Sequence, residues 1–260
     1  MSKRDDVQKY YTWSSIIKKI VSYSFIINAI GALLSIITSE RFLLITIVVQ
    51  LIATFVNIVL GWIDDNIIFP NAERTRRKSN IDNSFDINTT IDMTDGYYNN
   101  KLSPSVEKFL LNNFESIYFT INIAKKMVLN EAIKVLISLS VLFIAFNVFA
   151  GTEMLLLIFQ LVFSGTYILG LASLLIFISQ INRLYEDFYH SLITENHYSD
   201  KKTIRLLSLS AEYEIIKGSH RIKLSSKIFN QLNPTLSSQW DSLQKESLFY
   251  KSGRKNETQY

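Results

Sequence analysis

The chain of 260 residues contains no cysteine, three histidines and three prolines. Without cysteine, neither a disulfide framework nor a thiolate metal site can form. The histidines, His190, His197 and His220, lack the spacing of a zinc motif such as HExxH, so zinc chemistry of the usual kind is excluded as well. No Asp, Glu, Lys or Arg stands at the centre of any long apolar run, which argues against a proton-coupled pump or a voltage sensor. Paired carboxylates, a Ser/His pair and a metal cluster are all missing from those runs, so no enzyme and no cofactor is expected. No period of 20 to 50 residues repeats.

What the chain does have is apolar length. Hydrophobic residues make up 48% and the mean hydropathy is +0.16, too apolar for an ordinary soluble domain and too polar to lie wholly in lipid. A helical span needs about 20 mainly apolar residues to cross about 30 Å of hydrocarbon. Four stretches qualify: Ile20 to Thr38, Phe42 to Ile63, Ala132 to Ala150 and Met154 to Ile178. The first has no A-x-A-like cleavage site and reads as a retained signal anchor. Of the 27 Lys and Arg, only Arg41 lies in a turn joining paired spans. The positive-inside rule therefore places both termini and the central segment in the cytoplasm. Only Ser39-Glu40-Arg41 and Gly151-Thr152-Glu153 face outwards, too little for an external receptor or catalytic site.

The expected fold is an all-α integral membrane protein, four transmembrane helices in two hairpins, with a cytoplasmic helical domain formed by the central segment and the C-terminal region. Its divisions are a cytoplasmic segment 1–19, hairpin 20–63, motif segment and helix 64–131, hairpin 132–178, cytoplasmic helical region 179–250 and a disordered tail 251–260. Tyr10, Tyr11 and Trp13 suit the membrane interface. Gly31 with Ser35, and Thr166 with Gly170, are small pairs that allow close helix approach. Phe69-Pro70 breaks or restarts the helix, and the stretch to Lys101, which lacks apolar periodicity, reads as turn-rich loop. Ser103-Pro104 starts a helix. Phe109, Leu110, Phe114, Ile117, Tyr118, Ile121 and Met127 then form a stripe running unbroken into the third span. The fourth span continues through Arg183 to His190. Ser199-Asp200 opens another helix with Ile204, Leu207, Ala211, Ile215 and Ile216 as its apolar face, packing on that stripe. Pro234 stops or bends the chain before a last short helix around Trp240.

Polar constellations each admit two readings. Arg74, Arg76, Arg77 and Lys78 fit positive-inside topology and lipid contact, or an anionic ligand held by guanidinium hydrogen bonds. Asp82 and Asn83 suit side-chain to backbone turns with Phe85 as anchor. Tyr97, Tyr98 and Asn99 supply either interface packing or stacking faces and edges for a nucleobase. Within the spans Asn28, Gln50, Asn57, Asn147 and Gln160 require partners in lipid, so they either bond between helices or line a pore. Gln50 and Asn57 share a helical face.

Taken in order, these motifs resemble a known family, the SMODS and SLOG-associating four-transmembrane effectors of bacteria. The resemblance rests on spans split two and two, on Arg76-Arg77 followed by Ile81-Asp82-Asn83-Ser84-Phe85, and on Gly96-Tyr97-Tyr98-Asn99-Asn100. It continues in Asn113-Phe114-Glu115-Ser116-Ile117-Tyr118-Phe119 and Lys126-Met127. The motif region covers about Arg74 to Met127 and the topology most of the chain. Asp86 stands where the family pattern has glycine, and Ile228-Phe229-Asn230 to Trp240 only loosely follows the family's C-terminal element. The resemblance implies an anti-phage membrane effector, answering to a nucleotide second messenger or to a partner protein that senses one, and forming a pore or disrupting the inner membrane. On that basis Arg76, Arg77, Asp82, Asn83, Phe85, Tyr97, Tyr98 and Asn99 are the ligand- or partner-contact residues. The expected partners are the lipid bilayer and further copies of the chain, with no DNA or RNA. The alternative is a non-catalytic membrane scaffold or sensor that recruits a cytoplasmic partner.

Overall fold

The computed structural model describes residues 4–37, 40–91, 94, 95, 98, 100, 102–149, 154–195 and 199–249. These are helical apart from short connections. In chain order they form β1 (Arg4–Asp5), α1 (Gln8–Ile37), α2 (Glu40–Ile63), α3 (Phe69–Phe85), β2 (Thr94–Asp95), α4 (Val106–Phe149), α5 (Met154–Tyr189), α6 (Asp200–His220) and α7 (Ser226–Glu246). The two short strands pair antiparallel, Arg4 opposite Asp95 and Asp5 opposite Thr94. Three described helical runs, Phe42–Phe85, Val106–Ile144 and Gly165–Thr194, are long and apolar enough to cross a membrane. The expected tail 251–260 lies outside the described residues.

The loop expected between Pro70 and Lys101 is in fact helical as far as Phe85. Apolar periodicity is missing because the buried face of α3 is polar. Ala72, Arg76, Ser79, Asn80 and Ser84 recur at helical spacing and are all buried. Nor does Pro70 break the helix. In a regular helix its ring would strike the carbonyl four residues back and its missing N–H would leave a gap. A π-helical turn at Asp64–Ile68 widens the coil just before it, with the Phe69 N–H donating to the Asp64 carbonyl. A second π turn, His190–Thr194, ends α5, where the Glu195 N–H donates to the His190 carbonyl at 3.1 Å.

Three further expectations need correcting. The first helix after the loop begins at Val106 rather than at Ser103-Pro104, with the Ser105 hydroxyl accepting from the Lys108 N–H at 3.2 Å. Pro234 does not stop the chain but lies inside α7. Burial of Ile228, Leu236, Trp240 and Gln244 along one face offsets a proline penalty of about 3 kcal/mol. On α6 the Ser199 cap is as expected, accepting from the Lys202 N–H. Its buried face, however, is Lys202, Leu206, Leu209, Ser210, Tyr213 and Ile216, while Ile204, Leu207, Ala211 and Ile215 point to solvent. The expected stripe followed apolar residues alone; a tyrosine and a lysine won the inner face through polar contacts described below.

The chain divides into two compact units: Met1–Lys9, Asn71–Met127 and Ile176–Tyr260, here the polar unit, and Tyr10–Pro70 and Val128–Leu175, the apolar unit. The first part of α4 forms the core of the polar unit, with Leu110, Leu111, Phe114, Ile117, Ile121, Ile123, Ala124 and Met127 all buried. The Phe114 ring stacks on Phe188 at 5.8 Å and meets Trp240 edge-on at 5.3 Å. Helix α6 runs back along α5: Lys202 and Arg205 lie by Glu195 and Asp187, and at the other end His220 bonds Gln180 at 3.0 Å. In the apolar unit the usual arrangement is inverted. Leu44, Phe55, Leu136, Phe143 and Leu169 are exposed, whereas Ser24, Asn28, Gln50 and Ser138 are buried.

Candidate functional site

The motif segment is held by a knot of amides. Asn112, at the first full turns of α4, donates to Asn80 Oδ1 at 3.0 Å, to Asn83 Oδ1 at 3.2 Å and to the Ser84 hydroxyl at 3.0 Å. Asn80 in turn donates to Asn113 Oδ1 at 2.8 Å, and Asn100 donates to Asn112 Oδ1. Amides suit this place because each carries two donors and an acceptor, so one side chain can bridge two helices and a loop. Of the residues involved, sequence reasoning singled out only Asn83. Ser84, Asn100 and Asn113 stand in the quoted motifs without an assigned role, and Asn80 and Asn112 in none, although Asn112-Asn113 interrupts the apolar stripe at a position facing inwards, which is the available signal.

Asp82 pins the loop that follows α3. Its Oδ1 accepts from the Thr89 N–H at 2.9 Å and hydroxyl at 2.6 Å; its Oδ2 accepts from the Thr90 N–H at 3.0 Å and hydroxyl at 2.9 Å. Partial burial pushes this carboxyl up, but the four hydrogen bonds to the ionised form outweigh it and hold the group below its ordinary value. Phe85 stacks on Phe109 with centroids 6.0 Å apart. Asp86 has φ of 51°, the left-handed conformation that ends α3.

The two arginines part company. Arg76 is buried on the inner face of α3, at 8% exposure. Arg77 lies on the outside, its side chain 47% exposed, and donates through Nε to Glu214 Oε2 on α6 at 2.8 Å. Lys217, one turn on, reaches Glu73 of α3 at 2.5 Å and Glu214 at 3.7 Å, and lies 5.0 Å above the Tyr213 ring. Tyr213 shares a hydrogen bond of 2.9 Å with Thr120 of α4. Complete burial pushes its phenol up to about 12, only partly offset by Lys217 and by the bond to Thr120. Arg74 is exposed and Lys78 half-buried on the same side of α3 as Arg77. Tyr98 is half-buried; Tyr97 and Asn99 lie outside the described residues.

In the apolar unit, Asn28 of α1 donates to the Thr54 hydroxyl of α2 at 2.6 Å. Asn57 of α2 is half-buried, and Ser14 donates to Asp64 at 3.0 Å. Gln50 packs on Gly31 so closely that a methyl group there would come within 2.7 Å of Gln50 Cγ. The contacts of Asn28, Gln50 and Ser14 make a polar seam. Asn147 is not in it: exposed, it donates to the Phe143 carbonyl of its own helix at 2.7 Å. Gln160 lies on α5, with its side chain outside the described part. Among the described residues, no group of three or more His, Asp or Glu could hold a metal ion.

The fold thus defines an all-helical protein with helices of membrane-crossing length and apolarity. Compared with protein-family models, curated proteins and solved structures, the chain matches none of them.

Proposed function

We propose that this chain is a multi-pass protein of the bacterial inner membrane with four transmembrane helices, both termini and the polar unit in the cytoplasm. It acts as a non-catalytic effector of an anti-phage system. When a nucleotide second messenger, or a partner protein that senses one, engages the polar unit, copies of the chain assemble and open a pore or disrupt the membrane. The observation that carries this reading is the motif order from Arg74 to Met127, which resembles that of the four-transmembrane effectors. Geometry adds support. Arg77 offers its guanidinium to solvent while sharing Glu214 with Lys217, so an anion at Arg77 competes with a carboxylate for one charge. The ligand-facing set is then Arg77 and Tyr98, with Arg74 and Lys78 beside them, while Arg76, Asp82, Asn83 and Phe85 shape the segment.

The test is expression in a bacterium together with a synthase of nucleotide second messengers, with that synthase activated. Membrane potential should collapse, and Arg77→Ala or Tyr98→Ala should suppress killing by about tenfold or more without loss of insertion, as expected for loss of a charge-assisted contact. Full potential and normal growth under confirmed activation would sink the proposal. A scaffold that conducts nothing is the second reading, favoured by the solvent-facing Ile204, Leu207, Ala211 and Ile215 on α6. Planar-bilayer conductance of the purified chain separates the two.

A further inference from the structure

The apolar unit sorts its polar groups in two ways. Its outer hydroxyl and amide side chains, Ser22, Thr46, Ser140 and Asn147, each donate to the carbonyl four residues back, on Lys18, Phe42, Leu136 and Phe143. They are spent on their own helices, and what surrounds them is Ile, Leu, Val and Phe. Of its inner groups, Ser24 and Ser138 also bond to their own helices, through the carbonyls of Ile20 and Val135, whereas Asn28 bonds across to Thr54 and Gln50 is seated on Gly31. A water-filled path needs polar groups on its wall, and a wall of large apolar side chains dewets. Copies joined through the described outer surfaces would build such a dry wall.

We infer that the α1–α2 seam is the closed form of the water-facing lining: opening parts α1 from α2 and turns Asn28, Gln50, Thr54 and Asn57 towards water. The inference rests on the pore reading for its purpose but not for its test. Gly31 is the latch. The absent side chain allows Gln50 Cγ, Cδ and Nε2 to fill the space a Cβ would need, at 2.7, 3.3 and 3.3 Å. Any larger residue at 31 drives a wedge between the helices, whereas Gly61, also on α2, has nothing within 4 Å of its Cβ position. If the seam were only glue, parting it would loosen the bundle without creating a wetted wall.

Because the chain has no cysteine, one introduced thiol reports one position. Full-length Gly31→Val is compared with wild type in vesicles of phosphatidylethanolamine and phosphatidylglycerol. Two signals are read: potassium flux, and the reaction of a Thr54→Cys thiol with a membrane-impermeant maleimide. Both should rise by about tenfold or more, as overpacking of this size shifts a closed–open equilibrium. Gly61→Ala should change neither. Adding Gln50→Ala to Gly31→Val removes the clash and should return both signals to wild-type levels. A thiol that reacts without flux supports the seam and counts against the pore reading. Flux without thiol reaction overturns the seam and leaves the pore reading standing. Unchanged signals, failure of Gln50→Ala to reverse them, or an equal gain at an Ala124→Cys thiol in the core of the polar unit each overturn the inference.

Discussion

Asp86 shows how much a single position can carry. With φ of 51° it occupies the left-handed region in which a Cβ crowds the following carbonyl, a penalty that glycine escapes and aspartate only partly relieves. Asp86→Gly should therefore stabilise the protein, by about 0.5–1 kcal/mol, and Asp86→Val should destabilise it. Thermal unfolding in detergent measures both, and a drop in Tm for the glycine variant would refute the assignment. An aspartate just after the anchoring phenylalanine was legible in the sequence, but its meaning needed the backbone angle. Arg76 and Arg77 teach the opposite lesson. Adjacent and alike in sequence, they point to different sides of α3 because, at about 3.6 residues per turn, successive helical residues are turned by about 100°. One is buried and the other pairs with Glu214.

At the scale of the element, α3 is a helix that composition conceals. Its interior face is hydrophilic, so no hydrophobic period marks it; its stability comes from α4, through Asn112 and Asn113. Removing Asn112 takes a donor from Asn80, Asn83 and Ser84 and an acceptor from Asn100 at once, leaving the Ser84 hydroxyl and Asn80 Oδ1 only their mutual bond of 3.2 Å. Asn112→Ala should cost about 2–3 kcal/mol, more than a neutral hydrogen bond is worth, because the abandoned partners cannot reach water. The loss should appear as lower Tm and faster proteolysis between Phe85 and Ser105; a change no larger than that of an exposed substitution such as Ser208→Ala would show the knot to be dispensable. Long helices fared better in sequence reasoning. Both α4 and α5 run through as expected, since their apolar residues keep helical spacing with no proline inside. Helix α6 was placed correctly and rotated wrongly, because Tyr213 and Lys202 satisfy themselves on Thr120 and Glu195 and take the inner face from Ile204 and Ile215.

At the scale of the whole molecule, charge asymmetry makes a prediction independent of any ligand. If basic residues hold the polar unit in the cytoplasm, an impermeant thiol reagent added to intact spheroplasts should label Thr152→Cys and leave Ser252→Cys unlabelled until the cells are opened. The reverse pattern would invert the topology. Sequence by itself determined the helical class and the apolar lengths, because a helix is a local structure and hydrocarbon thickness sets a countable number of residues. It also held the order of motifs on which the functional proposal rests. Tertiary structure alone decided which side of each helix is inside: that Asn28 and Gln50 are buried where α1 meets α2, that Asn147 is exposed, and that α3 exists at all. The physical reason is that a polar side chain in a helix has no intrinsic preference for one face. It goes where its donors and acceptors are met, and those partners lie far away in the chain.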